Sequence, residues 1–318
     1  MSHILAVLSP VEACAGGRSP DHAGAPGGES SAVELSTWAV SVLVEEAELT
    51  PKPALVDRRG TGAHHDLDLA RLRHSAQSLQ GGFAAIARTA SGETLSLRLR
   101  EELGQIGRDM ERCMMAAADG SNAHRGAIWA LGLLVAAAAQ RHSGRNAASI
   151  GAAAAALARL PDRFAPPSLS HGEQARVRFG SAGARGEAQA AFPHAIRVGL
   201  PTLRAARDRG ALEDCARLDA LMAIMANLDD TCLLHRGGLA ALAAAQAGAK
   251  AVLAAGGTAS PVGLQRLHRL HADLMARWAS PGGSADLLAI TLFLDRLEGG
   301  SLSAPSTRGA DGNTELRV

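Results

Sequence analysis

Apolar and polar positions along the chain show no sustained alternation of the kind that strands require. Between residues 32 and 298 the sequence is instead dominated by Ala, Leu and Arg, which favour helices. Turn and cap signals divide this region into segments. Helices are predicted over 32–48, 67–90, 94–118, 123–142, 146–160, 197–209, 211–228, 237–256, 261–279 and 284–297. The pattern therefore predicts an all-α fold.

The two ends of the chain differ from this helical region. Residues 9–31 and 299–318 are rich in small and turn-forming residues and show no periodicity. We therefore expect a flexible N-terminal segment (1–31), a single globular multi-helix domain that carries the catalytic residues (32–298) and a flexible C-terminal tail (299–318).

Charge and aromatic content argue against nucleic-acid and membrane partners. The 32 Lys and Arg residues against 31 Asp and Glu residues give a net charge of +1, which supplies no global attractive field. Aromatic residues make up 3% and Tyr is absent, so a base-stacking platform is not expected. An anionic ligand would have to be held by local charged clusters.

The sequence predicts a soluble, cytoplasmic protein. Its start, MSHILAVLSP, lacks the basic region and the apolar run of a signal peptide. The most apolar internal stretch, 126–139, is shorter than the roughly 20 residues that cross a bilayer, and so predicts a buried core helix. The four cysteines are widely spaced without a C-x-x-C pair, which indicates no zinc knuckle.

A dense charged cluster follows the first predicted helix, at residues 46–66. Pro51 and Pro53 force the backbone out of a helix, so we expect Lys52 to be displayed from a stiff segment. The other charged residues and histidines after Lys52 are Asp57, Arg58, Arg59, His64, His65 and Asp66. This density favours a functional role over the alternative, a solvated loop between helices.

A second polar cluster precedes the apolar helix. Asn122 is expected to cap that helix, which places His124 and Arg125 in its first turn. Cations are poorly placed at a helix N-terminus unless an anion such as a phosphate completes the site. The cluster is therefore either a plain cap or a phosphate site.

Two glycine-rich segments have simpler interpretations. Residues 183–193, which include Glu187, contain no Walker A sequence, and a flexible loop is the safer prediction. Residues 280–286, from Ser280 to Asp286, resemble an ordinary Ser-capped helix start and fail the pattern of a nucleophile elbow.

Adjacent carboxylates mark the fourth cluster. Asp229 and Asp230 are expected at the end of a helix, where they oppose the macrodipole and repel each other. That placement is unfavourable unless a cation such as Mg²⁺ compensates it. A cap for the next helix would explain one carboxylate but not two. Together the clusters indicate metal-assisted handling of a phosphorylated ligand.

Six of these segments resemble the motifs of the triphosphoribosyl-dephospho-CoA synthase family, whose members build the prosthetic group of malonate decarboxylase and citrate lyase. They are T-P-K-P-A-L-V-D (50–57), G-A-H-H-D (62–66), N-A-H-R-G-A (122–127), G-E-A-Q-A-A-F-P (186–193), D-T-C-L-L-H-R-G-G (230–238) and P-G-G-S-A-D-L-L (281–288). Cys232 departs from the pattern, since Asn is expected there. The stretch R-R-G-T-G-A-H (58–64) is more similar to the malonate decarboxylase branch.

The resemblance implies a transferase that converts ATP and 3′-dephospho-CoA into 2′-(5″-triphosphoribosyl)-3′-dephospho-CoA and adenine. The product would pass to a phosphoribosyl-dephospho-CoA transferase and a carrier protein. Formation of an α-linkage from a β-nucleoside implies inversion by single displacement. Mg²⁺ is the expected cofactor, because it neutralises and orients a triphosphate.

The resemblance also implies roles for the clustered residues. Lys52, Arg58, Arg125 and Arg236 would bind phosphates, and Asp229 and Asp230 would hold Mg²⁺. The catalytic candidates are Glu46, Asp57, Asp66, Glu187 and His235, and the general base is left open among these carboxylates and Asp286. Further substrate contacts are expected from His64, Asn122, His124, Gly237, Ser284 and Asp286.

Three alternatives stay open at this point. The same reaction can serve citrate lyase instead of malonate decarboxylase. A metal-dependent nucleosidase would use the same charged site to hydrolyse ATP to adenine and ribose triphosphate. A non-catalytic helical binding module would need no acidic pair.

Overall fold

The computed structural model describes residues 26–140, 146–166, 174 and 177–299, and over these residues it contains helices and no strand. The elements are α1 (Pro26–Glu48), α2 (Leu69–Ser78), α3 (Gln80–Ala90), α4 (Leu97–Ala117), α5 (Arg125–Ala139), α6 (Ala147–Arg159), α7 (Gly183–Gln189), a π-helical turn (Ala195–Gly199), α8 (Leu200–Asp208), α9 (Glu213–Asn227), α10 (Thr231–Ala254), α11 (Pro261–Ala276) and α12 (Gly282–Gly299). The all-α prediction is confirmed.

Helix α5 forms the centre of the core. It is apolar on almost every side, and most residues from Ala127 to Ala137 are buried, as expected for a helix without a polar face. It packs against α1, α3, α4, α6 and α12. The prediction of a buried helix over the most apolar stretch is confirmed. This packing surrounds α5 with other helices.

Helix α12 joins the two halves of the molecule. It packs against α1 and α5 from the first half and against α9 and α10 from the second. Its residues from Leu287 to Leu294 are all buried. The N-terminus of α12 is thereby brought next to the N-termini of α5 and α10, and the candidate site forms there.

Several helix boundaries differ from the predictions. The helix predicted over 67–90 divides at Leu79, and the one predicted from 237 begins at Thr231. Residues Gly183–Gln189 form α7 where a flexible loop was predicted. Helix α1 begins at Pro26, and the rest of the predicted flexible ends, 1–25 and 300–318, lies outside the described residues.

Helix α10 is the longest apolar element. By length and composition alone its 24 residues could cross a membrane, since its most apolar window has a mean hydropathy of 1.3. It packs against α9 and α11. Gly238, with φ 62° and ψ −161°, also interrupts it within its first third.

Candidate active site

The loop between α1 and α2 carries a buried lysine. Lys52 follows the cis Thr50–Pro51 peptide bond and is 1% exposed. Its Nζ lies 2.6 Å from Glu46 Oε1 and donates a second hydrogen bond of 2.6 Å to the Glu46 carbonyl. Lys52 lies in a non-helical segment as predicted, but its side chain is buried and not displayed, because the ammonium finds both acceptors at the C-terminal end of α1.

Asp57 holds this loop in shape. Its carboxylate accepts hydrogen bonds from the backbone N–H of Lys52 at 2.9 Å and of Arg59 at 2.8 Å. The Arg59 side chain binds both carboxylate oxygens through Nε, at 3.2 and 2.9 Å. A buried carboxylate needs such partners. The alternative of a merely solvated loop is thereby excluded.

Two predicted site residues of this loop lie at the surface. The Arg58 side chain is 61% exposed and pairs with Glu48 at 2.6 Å. The Asp66 side chain is 58% exposed, and its carboxylate lies 3.9 Å from His64 Nδ1. Both are outside the buried part of the site.

His64 connects the loop to α10 and to the start of α12. Its Nδ1 accepts a hydrogen bond from Arg236, at 3.2 Å, so Nε2 carries the proton and donates to Ser280 Oγ at 2.9 Å. Arg236 also donates to the Ala63 carbonyl, at 2.6 Å. Burial and the Arg236 charge lower the pKa of His64 to about 4. His64 is therefore neutral near pH 7. Arg236 is exposed and lies at the edge of the candidate site.

His124 is the N-cap residue of α5 and is buried. It is 4% exposed, and its Nδ1 lies 2.8 Å from Ser75 Oγ. Its pKa is lowered to about 4, chiefly by burial and to a smaller extent by the Lys52 charge. Its Nε2 has no hydrogen-bond partner among the described residues. A buried polar atom of this kind normally has a partner, so it points to a ligand.

Asn122 and Arg125 are placed partly as expected. Asn122 Oδ1 accepts a hydrogen bond of 3.2 Å from the Arg125 N–H, although His124 holds the cap position. Arg125 begins the helix, and its Nε lies 3.2 Å from Glu111 Oε2. His124 is thus not in the first turn, contrary to the prediction.

Asp230 caps two helices at once. Its Oδ1 accepts from the Cys232 N–H of α10 at 2.9 Å and from the Gly283 N–H of α12 at 3.2 Å. Its Oδ2 accepts from the N–H and the hydroxyl of Ser284, at 2.8 and 2.9 Å. This replaces the predicted Ser cap of α12, since Ser280 bonds His64 instead. Burial raises the pKa of Asp230, and these hydrogen bonds oppose the rise.

The predicted metal pair does not fit Mg²⁺. Helix α9 ends at Asn227, so neither carboxylate opposes its last turn as expected. Asp229 is exposed whereas Asp230 is buried with both oxygens occupied, so the two do not converge. Across the described part of the chain, no three Asp, Glu, His or Cys side chains are grouped as metal ligands.

Asp286 is a half-buried carboxyl at the centre of the site. It lies against the first turn of α5, where a Cβ on Gly126 would be 2.1 Å from Asp286 Oδ2. Burial raises the pKa of Asp286 well above its usual value, and the charges of Glu46 and Asp230 raise it further. Within the residues that the structure describes, no group donates a hydrogen bond to its carboxyl.

Glu187 forms a separate pair with His194. Its carboxylate accepts hydrogen bonds of 2.8 Å from both the backbone N–H and Nδ1 of His194. His194 Nε2 donates to the Asn227 carbonyl at 3.2 Å. The Glu187 hydrogen bond raises the pKa of His194. Glu187 therefore fixes the turn after α7.

Two further predicted residues lie on α10. His235 is exposed on its outer side. Gly237 has no room for a side chain, since a Cβ there would be 2.4 Å from Ala241 Cβ and 3.5 Å from Ala279 Cβ.

Three polar partners in this region were not predicted, namely Ser75, His194 and Ser280. Ser280 stood inside a recognised segment, but its interpretation as a cap hid its contact with His64. Ser75 gave no local signal, because a mid-helix serine is common and its partner is 49 residues away.

The structure thus brings six of the predicted residues together where α1, α5, α10 and α12 meet. These are Glu46, Lys52, His124, Asp230, Ser284 and Asp286. The group combines one buried ion pair, one unpartnered imidazole nitrogen and one carboxyl that favours its neutral form. This arrangement can bind a polar ligand and exchange protons with it.

Comparisons with known proteins identify the family of the chain. A family model described as CitG, ATP:dephospho-CoA triphosphoribosyl transferase, matches residues 32–304. A probable 2-(5″-triphosphoribosyl)-3′-dephosphocoenzyme-A synthase of Stutzerimonas stutzeri is 57% identical over 270 residues, 84% of this chain and 93% of the relative. A synthase of that name from Klebsiella pneumoniae is 54% identical, over 88% of this chain and 99% of its own length. No solved structure matches the chain.

Proposed function

The chain belongs to the ATP:dephospho-CoA triphosphoribosyl transferase family, and on that premise we propose that it transfers the triphosphoribosyl group of ATP to 3′-dephospho-CoA. The single observation that carries the proposal is 54–57% identity, over 84–88% of this chain, to synthases named for this product. The grouping of Glu46, Lys52, His124 and Asp286 supports it, because this chemistry needs proton transfer at a site shielded from water.

The reaction exchanges one glycosidic bond for another. The 2′-hydroxyl of dephospho-CoA forms a bond to C1″ of the ATP ribose as the bond from C1″ to adenine N9 breaks. Its proton passes to a base, and the departing purine takes up a proton. Positive charge develops on the ribose as in glycoside cleavage, and we assign its stabilisation to the carboxylate of Glu46, which lies beside Lys52.

The triphosphate needs cationic donors at the edge of the site. Arg236 is exposed at this edge, and its guanidinium is already oriented by Ala63 and His64. We assign it to a phosphate of ATP or dephospho-CoA, since planar guanidinium groups suit such contacts. Mg²⁺ is proposed only as the ion that accompanies ATP, because the Asp229–Asp230 pair does not fit it.

The pathway assignment rests on sequence. The stretch R-R-G-T-G-A-H at 58–64 supports a role in the malonate decarboxylase branch. The product would then pass to a phosphoribosyl-dephospho-CoA transferase and the acyl carrier subunit, in the cytoplasm. Citrate lyase is the alternative destination.

Adenine release tests the proposed reaction. The purified chain is incubated with Mg²⁺ and ATP, with and without 3′-dephospho-CoA, and adenine is quantified by chromatography. Release that depends on the acceptor is expected. Equal release without it would indicate a nucleosidase, and no release at all would indicate a binding module. CoA, whose 3′-phosphate adjoins the acceptor hydroxyl, serves as the matched control acceptor.

A further inference from the structure

The carboxylates around the site differ sharply in their partners. Glu46 is paired with Lys52 at 2.6 Å, and Asp57 with Arg59 at 2.7 Å. Glu187 is held by His194 at 2.8 Å. Each of these groups is stabilised as an anion by its cationic or N–H partner.

Asp286 is the exception inside the site. Among the described residues no cation and no N–H or hydroxyl group bonds its carboxyl, and three titratable groups on neighbouring elements interact electrostatically with it. These are Glu46 of α1, Asp230 at the start of α10 and the thiol of Cys232. None of them compensates a negative charge, and two of them are carboxylates that repel it.

The backbone of α5 leaves room for this carboxyl at the centre of the site. Gly126 lies in the first turn of α5, and any larger residue would place a Cβ 2.1 Å from Asp286 Oδ2. Asp286 itself sits in the second turn of α12, whose start is fixed by Asp230. Its position is therefore set by two buried helices, as a group that must meet a substrate atom requires.

We propose that Asp286 is the general acid that protonates the departing adenine, an inference that rests on the transfer reaction proposed above. As the C1″–N9 bond breaks, its electron pair moves into the purine, and the Asp286 carboxyl proton passes to a purine ring nitrogen. The acceptor hydroxyl forms the new bond to C1″ and loses its proton to a base. Asp286 is left as a carboxylate and regains a proton from water.

The electrostatic surroundings support this role. Burial and the charges of Glu46 and Asp230 raise the pKa of Asp286 well above that of a free aspartate, so it holds its proton nearer neutral pH. Glu46, in contrast, lies 2.6 Å from the Lys52 ammonium. Two carboxyl groups in such different surroundings are the usual basis of acid–base division in an active site.

The test compares two donors that differ in their need for a proton. ATP is set against 8-aza-ATP, whose base is more acidic and departs more readily without protonation. Asp286→Asn should lower kcat with ATP about 10²- to 10⁴-fold and with 8-aza-ATP far less. It should also remove the fall in kcat at high pH. Asp286→Glu should restore part of the rate with ATP, and Asp273→Asn, at an exposed pair on α11, should change nothing.

Equal losses on both donors with an unchanged pH profile would overturn the assignment. If Asp286→Asn does not fold, the pH profiles of the wild-type protein provide the test. A fall in kcat at high pH with ATP that is absent with 8-aza-ATP supports Asp286 as the general acid. The same fall with both donors contradicts it. Failure of the transfer reaction itself would appear separately, as no adduct from the wild-type protein with either donor.

Discussion

Single residues in this site show how buried charges are matched to particular partners. Lys52 is surrounded by the carboxylate and the carbonyl of Glu46, and Asp230 accepts from N–H groups of two helices. Removing one partner of such a set leaves the other charged and unsolvated. Substitutions here should therefore act on folding as well as on catalysis.

Lys52→Met should destabilise the protein by about 3–5 kcal/mol, because it leaves Glu46 buried without its cation. Urea unfolding measures the change. The double variant Lys52→Met/Glu46→Gln should lose less than the sum of its single substitutions, since the two residues share one interaction. Additive losses would show that the pair is not coupled.

Asp229 and Asp230 provide a matched pair of neighbours. Asp230→Asn should cost about 1–2 kcal/mol, because the amide cannot accept from both helix N-termini. Asp229→Asn, at an exposed position, should stay within about 0.5 kcal/mol of the wild type. A thermal melt of both variants without metal distinguishes them. Similar melting of the two would refute the capping role of Asp230.

At the scale of elements, the helices that could be predicted are those whose signals are local. Helix α5 is uniformly apolar, and α11 begins with Ser260 and Pro261, a cap and a first-turn residue that sequence reasoning recognises. The prediction began α10 at 237, beside the kink at Gly238, and so missed the turns from Thr231 onward that Asp230 caps. The site could be predicted as a set of segments. The inward direction of Lys52 could not, because it depends on a tertiary partner.

The break in α10 gives a prediction for Gly238. Its backbone angles, φ 62° and ψ −161°, are adopted almost only by glycine. No atom lies within 4 Å of an added Cβ, so a substitution would strain the backbone without a steric clash. Gly238→Ala should therefore cost about 1–3 kcal/mol through backbone strain. It should also raise KM for the nucleotide, since Arg236 stands two residues earlier.

Gly107→Ala is the matched control for this substitution. Gly107 lies inside α4 with equally open surroundings and an ordinary helical backbone. The change should stabilise the protein by about 1 kcal/mol, because alanine favours helices. Destabilisation by both substitutions to a similar extent would contradict the strain at Gly238.

Over the whole molecule, neutral buried histidines make stability depend on pH. The pKa of His124 and that of His64 are each lowered to about 4, chiefly by burial. Unfolding restores ordinary values near 6.5, so the unfolded chain binds more protons below that pH. Stability is complete above about pH 6.5 and falls as the pH drops toward 4. His194, with its raised pKa, acts oppositely, since its contribution is lost as pH rises.

His124→Gln should make acid unfolding less steep. Between pH 4 and 6.5, each buried histidine changes the free energy of unfolding by up to about 1.4 kcal/mol per pH unit. The variant should lack the contribution of one histidine to this slope. Urea unfolding measured at several pH values tests this. His74→Gln, on the exposed side of α2, should leave the slope unchanged. An unaltered slope in His124→Gln would contradict the buried neutral state of His124.

The transfer of an intact triphosphoribosyl group is tested most directly by mass balance in ¹⁸O-labelled water. The protein is supplied with Mg²⁺, ATP and 3′-dephospho-CoA, and the products are identified by mass spectrometry. We expect one adenine for each triphosphoribosyl-dephospho-CoA adduct, with all three phosphates retained and no ¹⁸O at C1″. Free ribose triphosphate labelled at C1″, formed at the same rate without the acceptor, would contradict the transfer reaction.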